Sequence, residues 1–500
     1  MDKPVVLVNF YTPKSLGMRY LEGALRQAGF DVAVVYFKGF HSVRPQKPTS
    51  AEIEALTSFL RGANPLFTGF SVMSSLYLDA VTAVSEEARK ALGGASPLVW
   101  GGVYPTLFPE RSLRYCDLVL RGEGEGAIAD LASRLRGGSD IGSTPNLAYM
   151  RGGEAVVNPV RPLAEDLDAL PMAALGTGEK YFIDGEMRKG DPALASLSYE
   201  TSCSRGCPFA CAYCSTAGIK RVYAGQAGRY LRFRSVDSVI SELKAARAAM
   251  KNLSFIHFWD EIFTGNPAWI GEFAGRYRAE VNLPFDIWAH PLTTNARLIA
   301  ALRGAGLEQV VMGIQSGSPS VRKNAFRRAE TQEQIMEAAR ILADAKVPRV
   351  IYDLILRHPF ESLDEIKESY ELCARLPGRF TLQMHGLNLL PGTEIADEAV
   401  KRGIYTPEQL EAVMYAPMET QYASWWEASC RDEGVNFWYK LTYLTQFASM
   451  KKKAAALAGQ AESGIARAKA DKCHKKARRL ARARHYWQKG KAVLKGKLRR

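Results

Sequence analysis

Short apolar runs alternate with amphipathic stretches through the first 145 residues. Val5-Val-Leu-Val8 reads as a strand buried on both faces, and a loop over Tyr11 to Gly17 follows it. A helical period then runs from Met18 to Ala28, stopped by Gly29. Val32–Phe37 is the second expected strand, Ala51–Leu60 a helix, and Leu66–Met73 and Leu98–Gly102 the third and fourth strands. Asp117–Leu120 is the fifth, running into Arg121-Gly-Glu-Gly-Glu125. Strands alternating with helices predict a parallel, doubly wound sheet, whose ligands bind beyond the carboxyl ends of its strands. Those ends are Tyr11–Gly17, Ser71–Ser75, Gly101–Thr106 and Gly122–Gly126.

The same alternation returns after residue 195. Strands are expected at Leu197–Ser202, Leu253–Trp259, Phe285–His290, Gln309–Gln315, Arg349–Leu356 and Thr381–Leu389. Helical patterns at Val236–Met250, Asn295–Ala305, Thr331–Lys346 and Leu363–Leu376 lie between them. Six such units make a partial (β/α)6 TIM-type barrel, with functional groups at the carboxyl ends of its strands. Residues 146–195 carry acids, Gly and Pro and read as an extended linker, with Tyr181 and Phe182 as candidates for a substrate entrance. Residues 401–500 read as helical. Trp425-Trp426 and the aromatic stretch Phe437–Phe447 are expected to pack as core, or else to cover an apolar channel. The expected domains are therefore 1–145, the linker 146–195, the barrel 196–400 and the helical region 401–500.

Composition changes this picture in one place. The chain has 500 residues, 47% hydrophobic and 24% charged, which suits a folded protein of several domains. The net charge of +14 is concentrated: twelve Lys or Arg and no acid lie between His474 and Arg500. This basic tail interleaves Leu480, Tyr486, Trp487, Val493, Leu494 and Leu498, which suits an interfacial anchor on an anionic membrane surface. A solvated helix is the plain alternative, and nucleic acid is a weaker one. No apolar run is long enough to span a bilayer. The start of the chain has no basic leader, and the eight cysteines are not spaced as a disulfide framework, so a cytoplasmic protein is expected.

Chemistry concentrates in Tyr199-Glu-Thr-Ser-Cys-Ser-Arg-Gly-Cys-Pro-Phe-Ala-Cys-Ala-Tyr-Cys214. Cys207, Cys211 and Cys214 stand in Cys-x3-Cys-x2-Cys spacing, close enough in one loop to meet a single metal centre. Three thiolates on a four-iron cluster leave one iron open to a substrate or cofactor. Cys203 offers a fourth thiolate, which would instead suit structural zinc in a nucleic-acid-binding protein.

A strand, this cysteine loop and a following helix resemble the signature of the radical S-adenosylmethionine (SAM) enzymes. The resemblance implies that Cys207, Cys211 and Cys214 bind a 4Fe-4S cluster, that Tyr213 lies beside the adenine of SAM, and that Cys203 stands outside the set. It also implies SAM contacts from the ends of later strands: Asp260 or Glu261 in Phe258-Trp-Asp-Glu261, Gln315 and Ser316 in Gly313-Ile-Gln-Ser-Gly317, and Asp353. Gln315 replaces the commoner Glu of the family pattern. Arg357 and His358 are candidates for polar substrate or ribose contacts, or for structural residues. The loops of residues 1–145 resemble the cobalamin-binding domain that precedes many such barrels. They implicate Thr12, Ser71, Gly101, Gly102, Tyr104 and Gly124, with no Asp-x-His-x-x-Gly motif to supply a histidine to cobalt. The resemblance implies a Rossmann-like domain, then the barrel, then helices. It further implies C-methylation of a small-molecule or lipid-like substrate, with electrons from a flavodoxin or ferredoxin. Ring formation, oxidation or C–C coupling without methyl transfer are the alternatives within the family. No catalytic acid or base is singled out.

Overall fold

The structure, a computed structural model, describes residues 3–41, 45–94, 96–176, 178–226, 228–426, 432–460 and 463–498; the side chains of Trp425, Trp426 and residues 485–498 lie outside that description. The chain forms two compact units, Met1–Leu253 with Leu389–Tyr422, and Ser254–Asn388 with Ala423–Arg500.

In the first unit the strands β1 (Val5–Phe10), β2 (Val32–Phe37), β3 (Thr68–Ser71), β4 (Leu98–Gly101) and β5 (Leu118–Leu120) are mutually parallel, in the order β5-β4-β3-β1-β2. The runs Val5–Phe10 and Val32–Phe37 are buried throughout, as expected of strands covered on both faces. The strand order reverses direction between β1 and β3. That switch point is where a doubly wound sheet opens a crevice for ligands.

The segment expected as a linker builds structure instead. It adds β6 (Leu147–Arg151), β7 (Glu154–Val157), β8 (Glu179–Asp184) and β9 (Glu186–Lys189), making a nine-stranded sheet with β7 and β9 at its edges. Arg151, Glu154, Glu186, Arg188 and Lys189 charge those edges and discourage pairing with other chains. Buried ion pairs fasten this segment. Arg19 holds Asp191 through two bonds of 2.7 Å, and Lys180 meets Glu22 at 2.8 Å. Tyr181 packs on Phe59, and Phe182 packs against the core beneath the sheet, so both serve the fold of this unit. The strand β10 (Ser198–Thr201) and the short antiparallel pair β11 (Ser204–Arg205) and β12 (Arg232–Phe233) complete the unit's strands.

In the second unit β13 (Phe255–Phe258), β14 (Phe285–Ala289), β15 (Leu307–Gln315), β16 (Arg349–Ile355) and β17 (Thr381–His385) are parallel and paired in sequence order. Helices follow the strands, several with side-chain N-caps; Thr331 with Gln334 and Ser362 with Glu365 form capping boxes. The aromatic stretch after residue 432 is core. Phe437, Trp438, Leu441 and Phe447 pack with Ile366 and Tyr370 of the helix Leu363–Arg375. Ala466, Ala470 and Ala477 seat the helix Gly464–Leu498 against the same cluster, small residues at helical spacing allowing close approach. No helix among the described residues is long and apolar enough to cross a membrane.

Candidate active site

In the first unit the cysteine loop runs from β11 to the helix Ser215–Val222, which begins immediately after Cys214. Cys207, Cys211 and Cys214 are half-buried, whereas Cys203 is sealed at 0% exposure. Burial thus distinguishes Cys203 from the other three. The loop is rigidly built. The Cys211 carbonyl accepts from the Cys214 amide at 3.0 Å, and Lys220 Nζ donates to the Phe209 carbonyl at 2.7 Å. Gly206 has φ +91°, and a Cβ there would lie 2.3 Å from the Tyr230 carbonyl oxygen. The turn after the barrel strands packs against the loop as well. The Ile395 amide donates to the Ala212 carbonyl at 3.0 Å, and Arg221 donates to the Gly392 carbonyl at 2.8 Å. Among the described residues no three His, Cys, Asp or Glu side chains converge as ligands of one ion. A cubane cluster takes each thiolate on a different iron, so its ligands stand farther apart than those of a single zinc. Three outward thiols on one stiffened loop fit that donor set.

Arginines flank the loop. Arg232 binds Glu123 at 2.7 and 3.2 Å, and Arg205 pairs with Glu125 and, at 3.5 Å, with Glu123. Burial works to raise the Glu123 carboxyl, but the Arg232 hydrogen bond and the Arg205 charge outweigh it and hold the group below its usual range. The Glu123 amide donates to Tyr223 Oη at 2.7 Å. Residues 121–125, at the carboxyl end of β5, are thereby tied to the cysteine loop.

The six cobalamin candidates fare differently. Thr12 is exposed just beyond β1 and Ser71 is half-buried at the end of β3, so both sit at the switch point. Gly101 ends β4 with open space where a Cβ would stand; its nearest neighbour is the Leu120 carbonyl at 3.7 Å. Gly102 and Gly124 are instead filled by the chain itself, by the Val72 carbonyl at 2.7 Å and Leu21 at 2.9 Å. Tyr104 is buried between Phe108 and Tyr415. Thr12, Ser71 and Gly101 thus stand at the strand ends beside the switch point, while the other three candidates are enclosed by the chain.

In the second unit Asp260 is buried and Glu261 exposed at the end of β13. Gln315 has φ +67° at the end of β15, and its Oε1 is buried with no hydrogen-bond partner. A positive φ and an unanswered buried acceptor are both uncommon in a strand end. A Cβ at Gly313 would lie 2.5 Å from Gln315 Nε2, so a larger residue there would displace the amide. Ser316 is fully buried; its Oγ accepts from the Ser318 amide at 3.1 Å, so it shapes the turn. Asp353 meets His385 Nε2 at 3.2 Å. Burial lowers the affinity of His385 for a proton, but the Asp353 bond outweighs it and raises the imidazole above its usual range. His358 is enclosed against Phe326, and burial holds it near its neutral form, down to about 3. Arg357 stacks 3.7 Å over Tyr439. Sequence reasoning missed Arg328, which reaches Glu330 at 2.5 Å, His290 Nε2 at 2.9 Å and the Gly313 carbonyl at 2.8 Å. Glu330 is a near neighbour, but His290 and Gly313 lie 38 and 15 residues away, and no local pattern flags them.

The comparisons with known proteins now decide the family. Residues 201–373 match the model of the radical SAM superfamily, and residues 3–132 match that of the B12 binding domain. The chain therefore carries a radical SAM domain preceded by a B12 binding domain. It is an enzyme, and its two domains imply a 4Fe-4S cluster, SAM and cobalamin as cofactors. The zinc-protein reading of the cysteines falls, since the family model covers them. An uncharacterized methyltransferase of Pyrococcus horikoshii is 25% identical over 70% of this chain and 72% of its own. An anaerobic magnesium-protoporphyrin IX monomethyl ester cyclase of Synechocystis is 26% identical over 49% of this chain, which spans only 47% of that relative. The radical SAM methyltransferase TsrM of Kitasatospora setae, solved with cobalamin and a [4Fe-4S] cluster, has the same fold, with a TM-score of 0.66 at 16% identity, covering 96% of this chain and 100% of its own. The cobalamin-dependent enzyme OxsB gives a TM-score of 0.66 at 16% identity over 95% and 72% of the two chains. The fold is thus α/β: a parallel-sheet domain, a barrel-like radical SAM domain and a helical C-terminal region.

Proposed function

We propose that this enzyme is a cobalamin-dependent radical SAM methyltransferase that C-methylates an unactivated position of a small-molecule or lipid-like substrate. The observation that carries the reading is the ion-pair lattice of Glu123 and Glu125 with Arg205 and Arg232. It fastens a strand-end loop of the B12 binding domain to the cysteine loop within one compact unit. Chemistry passed between two cofactors needs their seats held in fixed register, because small misplacement is costly in rate.

When bound, the cofactors supply an electron, an adenosyl radical and a transferable methyl group; the chain supplies position and exclusion of water. Cys207, Cys211 and Cys214 would hold the cluster, with Tyr213 beside SAM. Asp260, as a buried carboxylate, suits the SAM ammonium better than the exposed Glu261. Gln315 would donate or accept a hydrogen bond, and Asp353, charge-paired with His385, would orient polar groups. Thr12, Ser71 and Gly101 would line the cobalamin crevice, with Gly102, Tyr104 and Gly124 shaping its walls from behind. A flavodoxin or ferredoxin would deliver electrons, and the cytoplasm would keep the cluster reduced.

The test is anaerobic reconstitution followed by incubation with SAM labelled in its methyl group and a reductant. Both 5′-deoxyadenosine and S-adenosylhomocysteine should form, and each should be lost in Cys207→Ala, Cys211→Ala and Cys214→Ala but largely kept in Cys203→Ala. Deoxyadenosine without S-adenosylhomocysteine would favour the second reading, radical ring formation or oxidation, which the partial likeness to the cyclase supports.

A further inference from the structure

The barrel sheet of the second unit seals one of its faces more completely than the other. Ile256, Phe258, Ile287, Val310, Met312 and Leu354, which alternate outward, are all at 0% exposure under the helices. On the alternate face Asp286, Val311 and Asp353 are buried too, but the aromatic positions toward the carboxyl ends of the first two strands are not. Trp259 is 51% exposed, and Trp288 and Ile351 are only half-buried. An indole of that size left uncovered on a sheet face is costly unless something covers it in use.

These positions form ordered layers. Trp259 and Trp288 stand with ring centroids 6.1 Å apart and planes 31° from parallel, a continuous aromatic wall. One layer below, toward the amino ends of the strands, His257 pairs across the sheet with Asp286. His257 Nδ1 lies 2.8 Å from Asp286 Oδ2, which also receives Gln309 Nε2 at 2.9 Å. Asp286 Oδ2 is the acceptor of both contacts, so the bond selects the tautomer with the proton on Nδ1, in which Nε2 is an acceptor. His257 sits 6.4 Å from the Trp259 ring, so the acceptor adjoins the wall.

From this geometry we infer that the inner face of the sheet takes a planar aromatic substrate carrying an N–H or O–H donor at its edge. The ring system lies on Trp259 and Trp288, and the donor bonds His257 Nε2. Offset aromatic pairing favours a flat ring over a saturated one of equal size, and an acceptor that the bound ring covers penalises a ligand that cannot donate. The inference rests on the proposed function in that this face belongs to the same radical SAM domain, and it names the substrate class for that site.

The experiment measures calorimetric binding of three probes to the full-length reconstituted protein: 2-naphthol, decahydro-2-naphthol and 2-methoxynaphthalene. Simple partition favours the saturated alcohol, so the expected order is opposite to it: 2-naphthol binds at least about tenfold tighter than either. Trp288→Leu should erase the preference over the saturated alcohol, and Trp288→Phe should restore part of it, which a merely misfolded variant would not. His257→Phe should erase only the preference over the methyl ether. Equal affinity of wild-type protein for the three probes, no measurable binding, or a preference that survives Trp288→Leu overturns the inference. Wild-type SAM cleavage is followed separately, so its failure would sink the methyltransferase reading whatever the probes do.

Discussion

Replacing Gly206 by alanine should cost the enzyme its cluster. Gly206 immediately precedes Cys207 and holds φ at +91°, a region that costs an L-residue about 1–2 kcal/mol. The added Cβ would also lie 2.3 Å from the Tyr230 carbonyl oxygen and 2.9 Å from its carbon. That neighbour is backbone, held two residues before Arg232 in the β11–β12 pair, so it cannot turn aside as a side chain would. Overpacking of this kind adds about 1–3 kcal/mol, giving roughly 2–5 kcal/mol in all. The cost falls on the segment that sets the first thiolate. Iron and sulfide content after anaerobic reconstitution should therefore drop severalfold in Gly206→Ala, with a lower melting temperature. Gly225→Ala is the control: φ is +83° there, but no atom lies within 4 Å of the new Cβ. It should lose about 1 kcal/mol and keep its iron. Equal iron in the two variants would refute the claim that contact with Tyr230 fixes the cysteine loop.

Three further outcomes follow from the geometry. Glu123→Gln leaves Arg232 at 7% exposure without its carboxylate, so it should lower stability by about 1–3 kcal/mol, less than for a fully buried pair, and loosen the cysteine loop; unchanged melting and iron content would deny the lattice that role. Burial pushes the Glu361 carboxyl from its ordinary 4.5 up to about 8, so the folded protein keeps a proton that the unfolded chain releases. Stability should then fall as pH rises from about 4.5 to 8 and level off above, and Glu361→Gln should remove that slope in melting temperatures taken from pH 5 to 8. The basic tail should be cut after Arg484, beyond the docked Ala477, which leaves six Lys or Arg to remove. At about 1 kcal/mol each near an anionic surface, their loss should weaken sedimentation with phosphatidylserine vesicles at least tenfold; equal sedimentation would reject the anchor.

Element type was legible wherever apolar runs were long. The strands β1, β2 and β13 to β17 all fall where the pattern puts them, because parallel strands buried by helices are nearly continuous in Val, Ile, Leu and Phe. The outer strands β6 to β9, two at each side of the sheet, escaped notice for the converse reason. Glu179-Lys-Tyr-Phe-Ile-Asp184 is short and charged at both ends, and its place is fixed by Arg19–Asp191 and Lys180–Glu22, pairs that join residues more than 150 positions apart. The Arg328 network is hidden in the same way.

Strand-end glycines carry the harder lesson. A missing Cβ opens space, but the sequence is silent on what fills it. Gly102, Gly124 and Gly122 are all answered by this chain, by the Val72 carbonyl, Leu21 and Tyr223 Oη. Only Gly101 among the candidate glycines faces open space, and it does so beside Ser71, its register partner on β3. The distinction divides the loop residues by physical role. A larger residue at Gly102 or Gly124 attacks the fold first and the cofactor only through it. A Cβ at Gly101 meets nothing closer than the Leu120 carbonyl at 3.7 Å, so a larger residue there spares the backbone and acts at the end of β4. Gly101→Val should therefore leave the melting temperature of the cobalamin-free protein within about 1 kcal/mol of wild type, since nothing but the Leu120 carbonyl at 3.7 Å stands near the new Cβ. It should at the same time cut the cobalamin retained after gel filtration, read from the visible spectrum. If cobalamin retention survives Gly101→Val while Gly102→Val unfolds the domain, the open space at β4 is not where the cofactor lies.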